Sequence, residues 1–465
     1  MVPERKTPRR LILVLIIITS FINPFLGAAV NIALPAIGRD FTLGAVEMSW
    51  VSMGFLLSSA VFLVPLGKLA DIRGRKLVFL LGNVIITLGS LLCALSPSGG
   101  WLIGSRIFQG IGSSMVFGTG MAIITSVYPS GERGKAIGIS TTAVYVGLSL
   151  APFLGGILTQ YLGWQSLFYV TIPFGILIIW MTLQFVKDEW ADARGEKFDL
   201  PGSLIYLVSM SSFMFGFSRL PGTGAVILVT AGLLGLVGFT FLELKLKSPV
   251  FNIALFRSNR LFAFSNLAAL INYATTFAIT FLLSLYLQYV QGMSPRDAGM
   301  ILITQPVVMA IVASVSGRMS DTYDPRILAS TGMGIIVAGL VMLTFLNEHT
   351  SLSYLVPVLV VVGFGFGMFS SPNTNAIMGS VGKQYLGIAS ATVGTMRLTG
   401  QMISMGIATL VLQLFIGNEP LSGSTAPEFV SSMRVTFLVF VALCSLGIFA
   451  SLARGSSVSS GVSAE

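Results

Sequence analysis

The chain has 465 residues, of which 54% are hydrophobic and 10% are charged, and its mean hydropathy is +0.88. A water-soluble domain could not bury that much apolar surface, so the composition excludes a soluble protein and indicates an all-α integral membrane protein. The net charge of +9 is spread over short segments beside apolar runs, which argues against a nucleic-acid-binding face.

The chain starts with a basic segment, residues 5–10, followed by an apolar run. That run is too long for a cleavable signal peptide and lacks a small-residue cleavage site, so it predicts a first transmembrane helix. Apolar runs of about 20 residues, enough to cross roughly 30 Å of hydrocarbon, recur to the end of the chain. We place fourteen spans at residues 11–37, 46–67, 77–95, 101–128, 136–158, 166–186, 200–219, 224–243, 262–290, 298–317, 327–347, 352–376, 388–416 and 432–453.

An even number of spans puts both termini on the same side of the membrane. Lys and Arg are concentrated on that side, and cytoplasmic loops are the ones enriched in these residues. We therefore expect cytoplasmic termini in a multi-pass protein of the cell membrane, the inner or plasma membrane of a prokaryote. The six exceptions lie in helices or near the opposite ends: Arg39, Arg106, Arg219, Arg296, Arg397 and Arg434.

A charged stretch recurs in the chain. GKLADIRGRK (67–76) lies between spans 2 and 3, and GRMSDTYDPR (317–326) lies 250 residues later, between spans 10 and 11. Gly, a basic residue and Asp match at the first, second and fifth positions, and a basic residue ends both copies. Transporters are often built from such repeats. We predict two six-helix halves, 1–186 and 262–465, joined by a linker with two inserted helices, 187–261.

The chain resembles the fourteen-helix drug:proton antiporter branch of the major facilitator superfamily. GKLADIRGRK matches the superfamily's signature between helices 2 and 3, and LIGSRIFQGIG (102–112) is similar to its helix 4 motif. GLSLAPFLGG (147–156) is similar to the helix 5 motif of antiporters, with Ala151 in place of the usual Gly. Three more stretches resemble further signatures of the branch: NIALP (31–35), PVFNIALFRSNRLF (249–262) and GIASATVGTMRLTGQ (387–401).

The resemblance implies an exporter of small amphipathic compounds that works by alternating access and is coupled to protons. In such a protein the repeated stretch forms a gate whose contacts hold the outward-facing state. The gate residues are Gly67, Asp71, Arg73, Gly74, Arg75 and Lys76, with a second copy at Gly317, Arg318, Asp321 and Arg326. Asp71 could lie near a helix N-terminus or pair with Arg75. The simpler alternative is a loop whose positive charge only fixes topology.

In span 5 the resemblance implies a hinge or seal. Small residues recur one turn apart, which lets another backbone pack closely, and a proline there favours a kink. Ordinary helix packing is the alternative. The residues are Gly147, Ala151, Pro152, Gly155 and Gly156.

Two arginines are embedded in spans, and each has a glutamine about one turn later. A guanidinium inside a membrane helix costs about 2.5–3.5 kcal/mol on insertion scales and usually faces a cavity or a partner. We expect Arg106 to line a cavity, whereas Arg397 is as well explained by bonds to backbone carbonyls. The cavity or coupling candidates are Arg106, Gln109, Asn31, Arg397 and Gln401.

The carboxylate that this branch commonly carries in helix 1 is missing, because Leu26 occupies its position. A membrane-embedded acid can hold a cation when ionised and release it when protonated. Every acid in this chain falls near a span end or in a tail. We therefore expect neutral or anionic substrates to be favoured over cations, with the proton carried by Asp40, Glu47, Asp71 or the substrate itself.

Nothing in the sequence suggests a metal, a cofactor or an enzyme. Cys93 and Cys444 both lie in apolar segments and His349 is the single histidine, so we expect neither a disulfide framework nor a metal cluster. The expected partners are the lipid bilayer, a small-molecule substrate and a proton, and we expect a monomer. Two alternatives stay open: an importer or uniporter of a metabolite, and a non-transporting membrane sensor.

Overall fold

The computed structural model describes residues 7–246, 253–320, 322–382, 386–417, 421 and 425–454. These residues form sixteen α-helices, and α10 continues into a π-helix over Tyr286–Val290. The helices are α1 (Arg9–Phe41), α2 (Ala45–Arg73), α3 (Arg75–Ala94), α4 (Gly99–Val127), α5 (Ser130–Leu162), α6 (Ser166–Phe185), α7 (Leu200–Phe217), α8 (Thr223–Glu243), α9 (Ile253–Ser258), α10 (Arg260–Leu285), α11 (Pro295–Leu302), α12 (Thr304–Met319), α13 (Pro325–Leu343), α14 (Leu352–Gly379), α15 (Leu386–Phe415) and α16 (Ala426–Ala453).

Fourteen helical segments of the described residues are long and apolar enough to cross a membrane, which confirms the predicted number. The helix α9 is too short to cross, and α11 and α12 together make the single span Pro295–Met319. The closely spaced pair predicted at 200–219 and 224–243 is present as α7 and α8.

Several helices start at a polar residue that satisfies a free backbone N–H. The Asn259 side chain accepts a hydrogen bond from the Phe262 N–H at 2.9 Å, and Ser294 accepts one from the Asp297 N–H at 3.1 Å. The first N–H groups of a helix have no partner within it, and hydrocarbon offers none either. Capping therefore fixes where a membrane helix begins.

The bundle has two ends, which we name by their charge. At the basic end α1 begins and α16 ends, and this end carries Arg9, Arg75 and Arg454. At the opposite end α1 finishes at Phe41 and α16 begins at Ala426.

The internal repeat is visible in how helices cross. A Cβ added to Gly82 of α3 would lie 2.9 Å from the carbonyl oxygen of Gly112 in α4. In the second half, a Cβ on Gly332 of α13 would lie 2.7 Å from the carbonyl oxygen of Gly365 in α14. Gly82 and Gly332 are separated by the same 250 residues as the two charged stretches. In each copy, the corresponding helix pair is thus held together by backbone-to-backbone contact between small residues, which is typical of membrane helix pairs.

The helices α7 and α8, predicted as an inserted pair, lie beside helices of both predicted halves. The two helices pack against each other, and α7 also contacts α2 and α15. Trp50 of α2 packs edge-on against Phe215, with ring centroids 5.7 Å apart. On the other side, a Cβ on Gly406 of α15 would lie 2.8 Å from the Phe217 ring.

The glycine crossing of α13 and α14 should set much of the stability of the second half. We predict that Gly332→Ala lowers the free energy of unfolding by about 1–3 kcal/mol, the usual effect of overpacking, because the new methyl group meets backbone atoms that cannot move aside. Unfolding in detergent, followed by circular dichroism, measures this effect.

Gly334→Ala is the matched control, because it lies in the same helix and a Cβ there meets nothing within 4 Å. It should be neutral, or slightly stabilising through helix propensity. Equal stability of the two variants would contradict the proposed crossing.

Candidate functional site

The sequence predicted a loop at residues 67–76, but the structure has helix on both sides of a single residue. Helix α2 continues to Arg73, α3 starts at Arg75, and only Gly74 separates them. Gly74 has a φ of 126°, which L-residues rarely adopt, so glycine makes this tight corner possible. The signature therefore spans two helix ends at the basic end of the bundle.

Asp71 pairs with Arg75, one of the two roles predicted for it. The Arg75 Nη2 lies 2.6 Å from Asp71 Oδ1, and its Nε donates to the same oxygen at 2.7 Å. On the other side the Arg75 Nη1 lies 2.7 Å from Asp192 Oδ2. Although Arg75 is only 7% exposed, it is satisfied by two carboxylates.

The N-terminus of α3 is capped by a residue that sequence reasoning missed. Glu189 accepts hydrogen bonds from the N–H groups of Lys76 at 2.8 Å and Leu77 at 3.3 Å. A carboxylate at this position is favoured by the free N–H groups and by the helix dipole. A Cβ on Gly74 would lie 2.4 Å from the Glu189 carboxyl carbon, so this glycine also makes room for the cap.

Glu189 belongs to a segment, residues 188–197, that lies across the signature; we name it the acidic strap. Lys68 forms an ion pair with Glu196 at 2.7 Å, and the Ala193 N–H donates to the carbonyl oxygen of Asp71 at 3.0 Å. The signal was present in the sequence, since four acids fall within these ten residues. Arg73, another of the predicted gate residues, is exposed.

The second copy of the signature differs in its contacts. Arg326 lies 3.8 Å from Asp324, Arg318 is exposed, and Asn375 donates to Ser320 at 2.7 Å. A Cβ on Gly317 would lie 2.6 Å from Ser371 Oγ, so this glycine is closely packed. Asp321 lies outside the described residues.

A buried arginine at the basic end joins three helices of the second half. The Arg454 guanidinium donates to Asn373 Oδ1 at 2.8 Å, Ser265 Oγ at 3.3 Å and the Pro325 carbonyl oxygen at 2.7 Å. Burial lowers its pKa to about 10, while Asp324 opposes the shift, so it stays protonated at neutral pH. The sequence indicated only a topological role for this residue.

The small residues of the antiporter-type motif face two different helices. A Cβ added to Gly147 would lie 2.4 Å from the Phe21 carbonyl oxygen, and one added to Gly155 would lie 2.9 Å from the Ala29 Cβ. Both glycines therefore face α1. At Gly156 the added atom would lie 2.4 Å from the Pro295 carbonyl oxygen of α11.

The rest of the motif extends this double contact. A Cβ on Gly299 of α11 would lie 2.1 Å from the carbonyl oxygen of Pro152, and Ala151 is fully buried. Helix α5 is thus packed against its own half and against the other half at once.

Hydrogen bonds join the two halves from the opposite end to the middle of the bundle. At the opposite end, Thr409 Oγ1 donates to Ser49 Oγ at 2.8 Å, and Gln288 Nε2, in the π-helix, donates to the Ile32 carbonyl oxygen at 2.9 Å. Further contacts lie closer to the middle, where Ser149 Oγ donates to the Pro306 carbonyl oxygen at 3.1 Å and the Tyr145 and Ser370 hydroxyls are 3.2 Å apart. No pattern in the sequence pairs these residues.

Arg106 does not line a cavity in this structure, contrary to expectation. It is 1% exposed, its Nε donates to the Val51 carbonyl oxygen at 3.1 Å, and its Nη1 donates to Gln109 Oε1. Its guanidinium lies 4.3 Å from the centroid of the Phe55 ring, and Gln109 in turn donates to Ser90 Oγ at 2.8 Å. Because these groups satisfy the cation, Arg106 fastens α4 to α2 and α3.

Asn31 is also enclosed, where it accepts a hydrogen bond from Ser52 Oγ at 2.7 Å. Arg397 and Gln401 of α15 differ from these residues, because both are only half-buried. The Arg397 guanidinium lies 5.0 Å from the centroid of the Phe117 ring of α4, in the other half. Arg397 is thus the embedded arginine at the boundary between the halves.

Comparison with known proteins settles the family. The family model of the Major Facilitator Superfamily matches residues 16–405 and, in a second match, residues 265–462. The chain belongs to the major facilitator superfamily. It is therefore a multi-pass transporter of the cell membrane, and the family is not one of enzymes.

Relatives from bacteria cover most of the chain. It is 29% identical over 439 residues to the riboflavin transporter RibZ of Clostridioides difficile, covering 94% of this chain and 96% of the relative. It is 30% identical to the multidrug resistance protein Stp of Mycobacterium tuberculosis, covering 83% and 73%. It is 27% identical to the tetracenomycin C resistance and export protein of Streptomyces glaucescens, covering 84% and 72%.

Two solved structures share the fold. The human organic anion transporter MFSD10 gives a TM-score of 0.64 at 14% identity, covering 96% of this chain and 99% of that one. A bacterial homologue of the human lysosomal transporter Spinster, in an inward-facing and unoccupied conformation, gives 0.65 at 19% identity, covering 96% and 97%. At these identities the likeness concerns the fold alone.

The acidic strap should detach when its helix cap is removed. We predict that Glu189→Gln speeds trypsin cleavage at the exposed Arg194 by about five-fold in detergent-solubilised protein, the effect of losing roughly 1 kcal/mol of capping energy. Gel electrophoresis of timed digests measures the rate.

Asp188→Asn is the control, because it neutralises another acid of the same segment. Asp188 makes its contact through its backbone N–H, which donates to Thr7 Oγ1 at 3.4 Å, and the substitution leaves that group in place. Faster cleavage in both variants would mean that net charge, rather than the cap, holds the strap in place.

Proposed function

We propose that this protein exports small amphipathic compounds by alternating access, with both termini in the cytoplasm. The observation that carries the proposal is the way α5 packs: its antiporter-type motif lies against α1 on one side and against α11 of the other half on the other. Relatives named for multidrug resistance and for export of tetracenomycin C support the outward direction.

With this orientation, the contacts between halves close the external side, and the substrate site opens to the cytoplasm. Opening the external side requires the bonds at Thr409 and Gln288 to break. The signature residues would then meet the second half at the basic end, the role that the resemblance assigns to them. In the present conformation the acidic strap occupies the signature instead.

The charges favour neutral or anionic substrates over cations. Among the described residues, no acid lies in the middle of a membrane span, whereas Arg397 lies between the halves. Leu26, at the position where the branch commonly carries Asp, is 3% exposed within the core. A lipophilic cation would find a positive charge and no carboxylate at this level of the membrane.

We also propose coupling to protons. Each peripheral acid considered from the sequence already makes a structural contact: Asp40 accepts from Trp164 Nε1 at 2.7 Å, Glu47 from the Gly44 N–H at 3.1 Å, and Asp71 from Arg75. Protonation of any of these carboxylates would weaken the contact it makes, so a proton taken up from outside would act on the conformation.

Import or facilitated diffusion of a metabolite is the second candidate. It is favoured by the riboflavin transporter, which aligns with this chain over nearly the full length of both. The direction of net flux in proteoliposomes with an imposed pH gradient separates the two candidates.

Cross-linking the opposite end should arrest transport. Ser49 Oγ and Thr409 Oγ1 are 2.8 Å apart, so a Ser49→Cys/Thr409→Cys pair is placed to form a disulfide. We predict that oxidation reduces flux of naphthalene-based probes (2-naphthoate, 2-naphthol and 2-naphthylmethylammonium) in proteoliposomes at least ten-fold, and that dithiothreitol restores it.

The single-cysteine variants control for the substitutions, and the native Cys93 and Cys444 are fully buried. Flux at the wild-type rate in the cross-linked protein would contradict alternating access through this contact.

A further inference from the structure

Arg397 lies within a membrane span and has no hydrogen-bond acceptor among the described residues. Among the described residues its guanidinium contacts the Phe117 ring but makes no hydrogen bond or ion pair. The two fully buried arginines, Arg106 and Arg454, each have acceptors. A guanidinium has five N–H donors, and a charge within a membrane span requires partners, so Arg397 indicates a site for an acceptor from outside the described residues.

Aromatic side chains from both halves surround this position. Phe117 comes from α4, and Tyr145 of α5 bonds across the interface to Ser370 of α14. Tyr273 of α10 lies near both Arg397 and Tyr145. Its ring packs edge-on against Phe366 of α14, with centroids 5.5 Å apart.

These rings are not sealed in a core. Arg397, Phe117, Tyr145 and Tyr273 are each only half-buried, although they lie between two six-helix halves. The contacts of Phe117 with Arg397 and of Tyr145 with Ser370 each join a helix of one half to a helix of the other, so these residues lie at the boundary between the halves. Flat aromatic faces favour a flat aromatic partner, and the guanidinium supplies planar, paired donors for an anionic oxygen.

We propose that Arg397 and the rings of Phe117, Tyr145, Tyr273 and Phe366 bind a planar aromatic weak acid, a compound that bears a carboxylate or phenolate on a fused or single ring. This inference rests on the proposed function and names the substrate class for it. The anion pairs with Arg397, while the ring lies among aromatic side chains of both halves. A substrate held in this way touches both halves at once, so its binding and release respond to their relative position.

The test is binding of three matched probes to the purified protein in nanodiscs, measured by isothermal titration calorimetry. The probes are 2-naphthoate, 2-naphthol and 2-naphthylmethylammonium, which share a ring system and differ in charge. We expect 2-naphthoate to bind tightest, and Arg397→Gln to weaken it by about ten- to a hundred-fold, as for the loss of a charge-assisted hydrogen bond. The same variant should change 2-naphthol binding less than three-fold.

Two further variants complete the design. Tyr273→Leu should weaken 2-naphthoate and 2-naphthol alike, because both use the ring contact. Arg219→Gln is the matched control, because Arg219 also lies over a phenylalanine ring, 4.1 Å from the centroid of Phe215, but outside the interface. It should leave all three affinities unchanged. The unfolding midpoint of each variant verifies that it folds.

Two results would overturn the inference: unchanged 2-naphthoate affinity in a folded Arg397→Gln protein, or cation binding as tight as that of the anion in the wild type. Flux assays in proteoliposomes separate this failure from failure of the proposed function. Arg397-dependent binding without any flux would refute the exporter and leave the site standing. Flux of 2-naphthoate that Arg397→Gln leaves unaltered would refute the site and leave the exporter standing.

Discussion

A charge placed inside a membrane must find partners, and the account of this protein depends on how its embedded arginines meet that requirement. Arg106 meets it within the first half, through a backbone carbonyl, an amide and an aromatic face. Arg397 contacts one ring across the boundary between the halves and has no acceptor among the described residues. The first arrangement holds helices of one half together, and the second leaves a guanidinium at the boundary between the halves. The described acids lie only near the span ends, so this positive site is not neutralised.

The contacts within each half differ in kind from those between halves. Within a half, helices cross at glycines with backbone atoms in contact, as at Gly82 and Gly112, and such contacts break only when the helices separate. Between halves, single hydrogen bonds such as Thr409 to Ser49 recur toward one end. A net contribution of about 1 kcal/mol for each such bond makes this interface separable while the halves stay intact. The close approaches at Gly156 and Gly299, between α5 and α11, are exceptions, and they make α5 the helix on which closure depends most.

The spans, their number and the repeat could be predicted from the sequence. Hydrocarbon thickness sets the length of each apolar run, and the repeat keeps glycines and charged residues at a fixed spacing. The roles of individual site residues could not. Arg106 and Arg397 look alike in sequence, since each sits in an apolar span about one turn before a glutamine, yet one is enclosed and the other lies at the interface. Glu189 was missed because its partner is the N-terminus of a helix more than one hundred residues earlier in the chain. Long-range pairing of this kind is set by packing, which local pattern does not encode.

If the two halves rock as rigid bodies about the interface, the distances between them at the two ends change in opposite directions, and spin labels measure both distances. Cysteines at Leu95 and Phe345 would report on the opposite end, and cysteines at Leu77 and Tyr323 on the basic end, since all four side chains are exposed. Gly156→Leu would place a side chain against the Pro295 carbonyl oxygen and weaken closure at the opposite end. We predict that this one substitution lengthens the 95–345 distance and shortens the 77–323 distance in the same molecules. A longer 95–345 distance with no change at the basic end would contradict it.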